Sequence, residues 1–187
     1  MSLSTASGPV ANATSPGPVS RTVWGLGVRL THWGVALLVL YTLWGESGAE
    51  HRTAGYAIVI LVLARLLAGC CVPPGHPARV AVPHVADVKH HACQLRSGRV
   101  LSGAGHNPLG AAMALLLWIV LLLLALSGWV SRWDMFWGEE SVESIHTTLS
   151  YLLQGCLVLH IAGVVVSSRA ERQNLALSMI TGRKRVD

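Results

Sequence analysis

Four of the nine histidines in this 187-residue chain, His32, His51, His146 and His160, stand within or at the start of long apolar runs. An ionisable ring at such depth is costly to desolvate and by default marks a functional position with a partner. His146 and His160 are 14 residues apart, about 21 Å of helical rise and close to four whole turns, so one helix offers two imidazoles on one face. In a membrane bundle, the helices bearing His32 and His160 run in opposite directions and bring these rings to one depth. The same reasoning sets His51 level with His146. Two neutral imidazoles facing each other in an apolar bundle suit the axial positions of a haem iron, a ligation that favours electron transfer over oxygen binding. Zinc or copper would want further His, Cys or carboxylate ligands at that depth, and the sequence places none there. Any one of these histidines could instead cap a helix end or hydrogen-bond across helices; two depth-matched pairs favour ligation.

The elements that must position these rings follow from composition. The chain is 52% hydrophobic and only 12% charged, which a soluble domain of this size does not tolerate, so the membrane is its natural solvent. Apolar runs predict an all-α four-transmembrane-helix bundle with haem groups in its core, helices near 28–45, 51–72, 108–130 and 144–167, within a single domain over 21–187. Asn107-Pro108 reads as an N-cap followed by proline at the first helical position. Residues 1–20 are Ser, Gly, Pro and Ala-rich without charge, which predicts a disordered tail. They lack the basic start of a signal peptide, so the first helix is expected to be retained. After the fourth span, alternating Leu175, Leu177, Met179 and Ile180 predict a segment lying along the membrane surface.

Lys and Arg predict the orientation, because basic residues stay cytoplasmic. Of the 14 in the chain, all but Arg52 and Arg132 fall on the side that holds both termini and the 73–107 loop. Both termini are therefore expected in the cytoplasm. The opposite loops collect Glu46, Glu50, Asp134, Glu139, Glu140 and Glu143, so the outer face is expected to carry a negative potential. The net charge of +5 thus reflects topogenic residues, and a nucleic-acid role is set aside. The four cysteines form neither CxxC nor CxxCH, leaving covalent haem attachment and a cysteine zinc site unsupported. His90, His91 and Cys93 make only a weak metal pattern in a polar loop.

Glycine and arginine add candidates around the pairs. Gly55 and Gly163 lie about one turn from His51 and His160, and Gly34 adjoins His32, where close backbone approach would admit a flat porphyrin; helix packing is the alternative. Arg65 stands 14 residues after His51 and so is expected on the interior face near the inner pair, where a guanidinium could meet a propionate, or else snorkel to headgroups. Arg29 is a second candidate for the inner haem and Arg52 for the outer.

The stretches RLTHW around His32, HRTAGY from His51, IHTTLSY around His146 and LHIAG around His160 carry a resemblance, with GHNPLGA opening the third helix and TGRKR near the end. On these residues, spread over most of 24–185, the chain resembles bacterial di-haem cytochromes b561 and the related b-type subunits of nickel-iron hydrogenases. It departs from the hydrogenase-linked members in lacking a long added segment and in having Gly25 and Gly27. The resemblance implies two haem b per chain, one held by His32 with His160 and one by His51 with His146. It also implies a bacterial inner membrane location and a quinone, ubiquinone or menaquinone, as one redox partner.

The leading functional reading is electron transfer between the quinone pool and an outer-face redox protein, such as a c-type cytochrome or a hydrogenase-like enzyme. The acidic outer loops would steer a basic partner. A superoxide:quinone oxidoreductase acting at the outer haem is the second reading, against which the same carboxylates repel an anion. A haem-free membrane anchor is the third, and it leaves the intramembrane histidines unexplained. The quinone is expected on the inner side near His32, Arg29 and His106.

Overall fold

The computed structural model describes residues 19–73, 75, 76, 78–80, 82–97 and 107–186. His106 and residues 1–18 of the expected tail lie outside the described residues. In chain order the elements are strand β1 (Val19–Thr22), helices α1 (Leu26–Trp44), α2 (Ala49–Cys71), α3 (Val85–Arg96) and α4 (Pro108–Val130), a 3-10 turn at Asp134–Phe136, α5 (Glu140–Ala170), α6 (Leu175–Thr181) and β2 (Arg183–Val186).

Among the described residues α1, α2, α4 and α5 are long and apolar enough to cross a membrane, so the protein is a multi-pass helical bundle. α4 begins where its sequence signals it: Asn107 Oδ1 accepts the Gly110 N–H at 2.7 Å and Pro108 sits inside the first turn. α5 is longer at both ends than its apolar run. Glu140 and Glu143 lie in its first turn and Arg169 in its last, charges that suit the ends of a helix dipole although they end a hydropathy signal. At 31 residues α5 rises about 46 Å, enough to project beyond a hydrocarbon core of roughly 30 Å.

α1 packs on α2, α2 on α4, and α4 on α5. Their shared core is a contiguous aliphatic cluster of Val39, Ile58, Val62, Val120, Leu121 and Leu153. Its register ties it to the histidines. Val39 follows His32 by seven residues, Ile58 follows His51 by seven, and Leu153 stands seven from both His146 and His160. Seven residues are two turns, so each histidine shares the core-facing stripe of its helix. Leu37, Ile60, Leu126 and Leu159 are exposed, a liability in water and the natural surface in lipid.

The end bearing the termini departs from the sequence reading. The 73–107 stretch contains helix α3, whose Val88, His91 and Leu95 form one face, with His91 buried. A polar 12-residue helix with a histidine as its central inward residue carries little hydropathic periodicity. The segment after α5 forms α6 and then a strand. β2 pairs antiparallel with β1, Val19 opposite Val186 through Thr22 opposite Arg183, so β1 begins inside the last two residues of the expected tail. Gly182, at φ 78°, ends α6. Its carbonyl accepts the Val23 and Trp24 N–H groups at 2.8 and 3.1 Å, and a side chain there would meet the Trp24 carbonyl at 2.7 Å. The strand pair is further fixed by a Lys184–Glu171 ion pair at 2.7 Å.

Candidate functional site

α5 presents His146 toward the far end of the bundle and His160 toward the end bearing the termini. His160 faces His32 of α1 with ring centres 6.4 Å apart and planes inclined by 46°. His146 faces His51 of α2 at 6.3 Å and 65°. The four histidines read from the sequence are thus brought together in the pairs that helix direction and depth suggest. Among the described residues, neither α1 nor α2 belongs to a closely packed pair with α5. Both pairs therefore bridge gaps in the bundle.

The separations exclude a direct hydrogen bond within either pair. A direct N–H···N hydrogen bond of about 2.9 Å would bring imidazole centres to roughly 5.2 Å. Two metal–nitrogen bonds of about 2.0 Å, with just over 1.1 Å from each nitrogen to its ring centre, put trans imidazoles roughly 6.3 Å apart. Both pairs match the second value. Among the described residues no group of three or more His, Cys, Asp or Glu converges on a metal position, which excludes an all-protein tetrahedral centre there. A metal held by two imidazoles needs its other ligands from elsewhere, and a porphyrin ring supplies four. His32 Nδ1 and His51 Nδ1, one ring of each pair, are buried without a hydrogen-bond partner among the described residues.

The glycines divide into two kinds. A side chain at Gly55 or Gly163 would meet nothing within 4 Å, whereas one at Gly34 would press on Leu61 at 3.2 Å. Gly34 therefore serves the contact of α1 with α2, while Gly55 and Gly163 border open space near the rings. The sequence reading missed Ser127 and Gly128. Ser127 Oγ lies 2.9 Å from His146 Nδ1, and a side chain at Gly128 would reach the His146 ring at 3.2 Å. The available signal was that Ser127 is the one hydroxyl in the apolar α4 sequence.

Two of the three candidate arginines, Arg65 and Arg29, are engaged with the chain itself. Arg65 is buried, donates to the Ala78 carbonyl at 2.9 Å and lies 5.7 Å from the centre of the Trp118 ring. Gly69 makes room for it, since a side chain there would overlap Arg65 and Val80. Arg29 donates to the Ile180 carbonyl and Trp33 to Met179 at 3.4 Å, so α1 holds the end of α6 where carbonyls and negative dipole point outward. Trp33 also stands edge-on to His32 at 5.3 Å. Arg52, half-buried beside His51, makes no side-chain hydrogen bond or ion pair among the described residues.

Comparisons with curated proteins and with solved structures returned no match. The family model for prokaryotic cytochrome b561 matches residues 23–182, a span that takes in all four apolar helices and all four paired histidines. The chain therefore belongs to the prokaryotic cytochrome b561 family, membrane proteins that transfer electrons across the bilayer by b-type haem.

Proposed function

We propose that this chain carries electrons through two bis-histidine haem b centres, one held by His32 and His160, the other by His51 and His146. The observation that carries the reading is the pair of ring separations, 6.4 and 6.3 Å, each wide enough for a metal and too wide for a direct hydrogen bond. The haems supply one-electron chemistry. His32, His51, His146 and His160 would hold them through imidazole nitrogens, and the chain would add an aliphatic layer around Leu153 between the two levels and exclude water. The levels are about 21 Å apart along α5, most of a 30 Å hydrocarbon core, so neither electron step has to bridge the membrane alone.

The end bearing the termini, cytoplasmic on this reading, is the side for quinone exchange in a bacterial inner membrane. A shallow, open surface depression lined among others by Val164, Val165, Arg169 and Asn174 begins one turn beyond His160. Its mixed apolar and polar lining suits a quinone ring with an isoprenoid tail. The far end, with exposed Glu46, Glu50, Asp134, Glu139, Glu140 and Glu143, suits a basic redox protein such as a c-type cytochrome.

The test is a pyridine haemochrome spectrum of the chain purified in mild detergent, with a reductive titration. The expected result is two b-type haems per chain, falling to one in His32→Ala and to one in His146→Ala. A single haem in the unaltered chain would remove one of the pairs. None, in protein expressed with ample haem, would return all four histidines to a structural role.

A further inference from the structure

We infer that Ser127 is a positioning residue that fixes the tautomer and ring plane of His146, making the His51–His146 centre electronically unlike the His32–His160 centre. This rests on the two-haem reading. Ser127 is 8% exposed and is the sole hydroxyl of α4. Its Oγ donates its one proton to the Leu124 carbonyl at 2.9 Å, so toward His146 it can only offer a lone pair. With that proton on the Leu124 carbonyl, which also lies within hydrogen-bond reach of His146, the 2.9 Å contact is assigned to an Nδ1–H of His146 donating to Oγ, the tautomer that leaves Nε2 unprotonated and free to bind a metal. Gly128 completes the arrangement, because a side chain there would reach His146 Cε1 at 3.2 Å and Nδ1 at 3.4 Å.

His32 and His51 are held differently. The Nδ1 atoms of His32 and His51 have no hydrogen-bond partner among the described residues. An acceptor on the distal N–H makes an imidazole a stronger electron donor through its other nitrogen, stabilises oxidised iron and lowers the reduction potential of that centre. Ser127 thus builds an offset between two centres whose ligand sets are chemically identical, and it acts from α4, a helix that contributes no ligand.

The experiment is a redox titration of the full chain in detergent, with haem content measured on the same samples. The Ser127→Ala variant is expected to keep two haems and raise one potential. At a fixed ambient potential the reduced-to-oxidised ratio of that centre should rise roughly threefold, equivalent to about 28 mV at 59 mV per tenfold for a one-electron couple. Ser127→Thr, which keeps the hydroxyl, should restore the original value. In a His32→Ala background, which leaves only the His51–His146 pair, the shift should persist; in a His51→Ala background it should vanish. Unmoved potentials with two haems bound, or equal movement of both, would overturn the inference while leaving the two-haem reading intact. If Ser127→Ala sheds one haem, retention of both by Ser127→Thr at the original potentials supports the hydroxyl's role, and loss from both variants overturns it. An unaltered chain with fewer than two haems would instead bring down the reading beneath.

Discussion

Arg65 shows how one residue can satisfy the sequence logic of a site and still be engaged elsewhere. It lies two heptads after His51 and, as that spacing predicts, is buried on the interior stripe of α2. Its guanidinium meets the Ala78 carbonyl and the face of Trp118, and so ties the segment after α2 to α4. Arg65→Gln is expected to lower stability by roughly 1–3 kcal/mol, through an under-satisfied carbonyl and a lost cation–π contact. Haem content should stay unchanged. Thermal unfolding in detergent, followed beside the haemochrome ratio, checks this; haem loss without destabilisation would assign Arg65 to a propionate instead. The histidines were legible because burying an imidazole in lipid is costly and a 14-residue spacing fixes a shared face. Ser127 was not. Serines in apolar helices commonly bond back to their own helix, as Ser127 does to Leu124, and a partner 19 residues away on another helix has no periodic relation to it.

Among the elements, the four spans could be read from hydropathy because lipid demands apolar length, and α4 could be placed to the residue because Asn107 and Pro108 have one sensible joint use. The elements at the end bearing the termini were hidden by their small size and by contacts far apart in sequence. β1 exists only through pairing with β2 across almost the whole chain, and α3 is stabilised by docking rather than by an apolar face of its own. His91 on α3 gives this region a pH dependence. Burial pushes its imidazole below the ordinary value, Glu171 opposes that shift, and His90 reinforces it. The folded chain therefore holds His91 neutral at pH values where the unfolded chain, with a value of about 6.5, is taking up a proton. Stability from this group is fully present above about 6.5 and is lost as pH falls toward the folded value. Hydrogen exchange of α3 amides, corrected for intrinsic rates, should be faster at pH 5.5 than at 7.5, and His91→Gln should flatten that difference. Equal protection of α3 at both pH values would remove His91 as the cause.

At the scale of the whole molecule the dominant feature is the separation of charge between its ends. Six carboxylates, Glu46, Glu50, Asp134, Glu139, Glu140 and Glu143, are exposed on the far connections, where the only basic residues are Arg52 and Arg132. Glu50 is partly engaged by the Tyr41 hydroxyl, which leaves Asp134 and the run Glu139, Glu140, Glu143 around the start of α5 as the free negative field nearest His146. If a basic c-type cytochrome exchanges electrons at this face, its second-order rate should fall steeply as ionic strength rises from 10 to 300 mM, since the Debye length shrinks from about 30 Å to under 8 Å. Reversing Glu139, Glu140 and Glu143 to lysine together should cut the low-salt rate by about tenfold or more and abolish or invert the salt dependence, with haem content unaltered. Stopped-flow mixing with a basic and an acidic cytochrome would measure both effects. A flat profile for the basic partner would dismiss protein docking at this end. The same titration separates the superoxide reading: an anionic substrate approaching through a negative field is repelled at low salt, so its rate would rise with ionic strength and increase in the lysine variant.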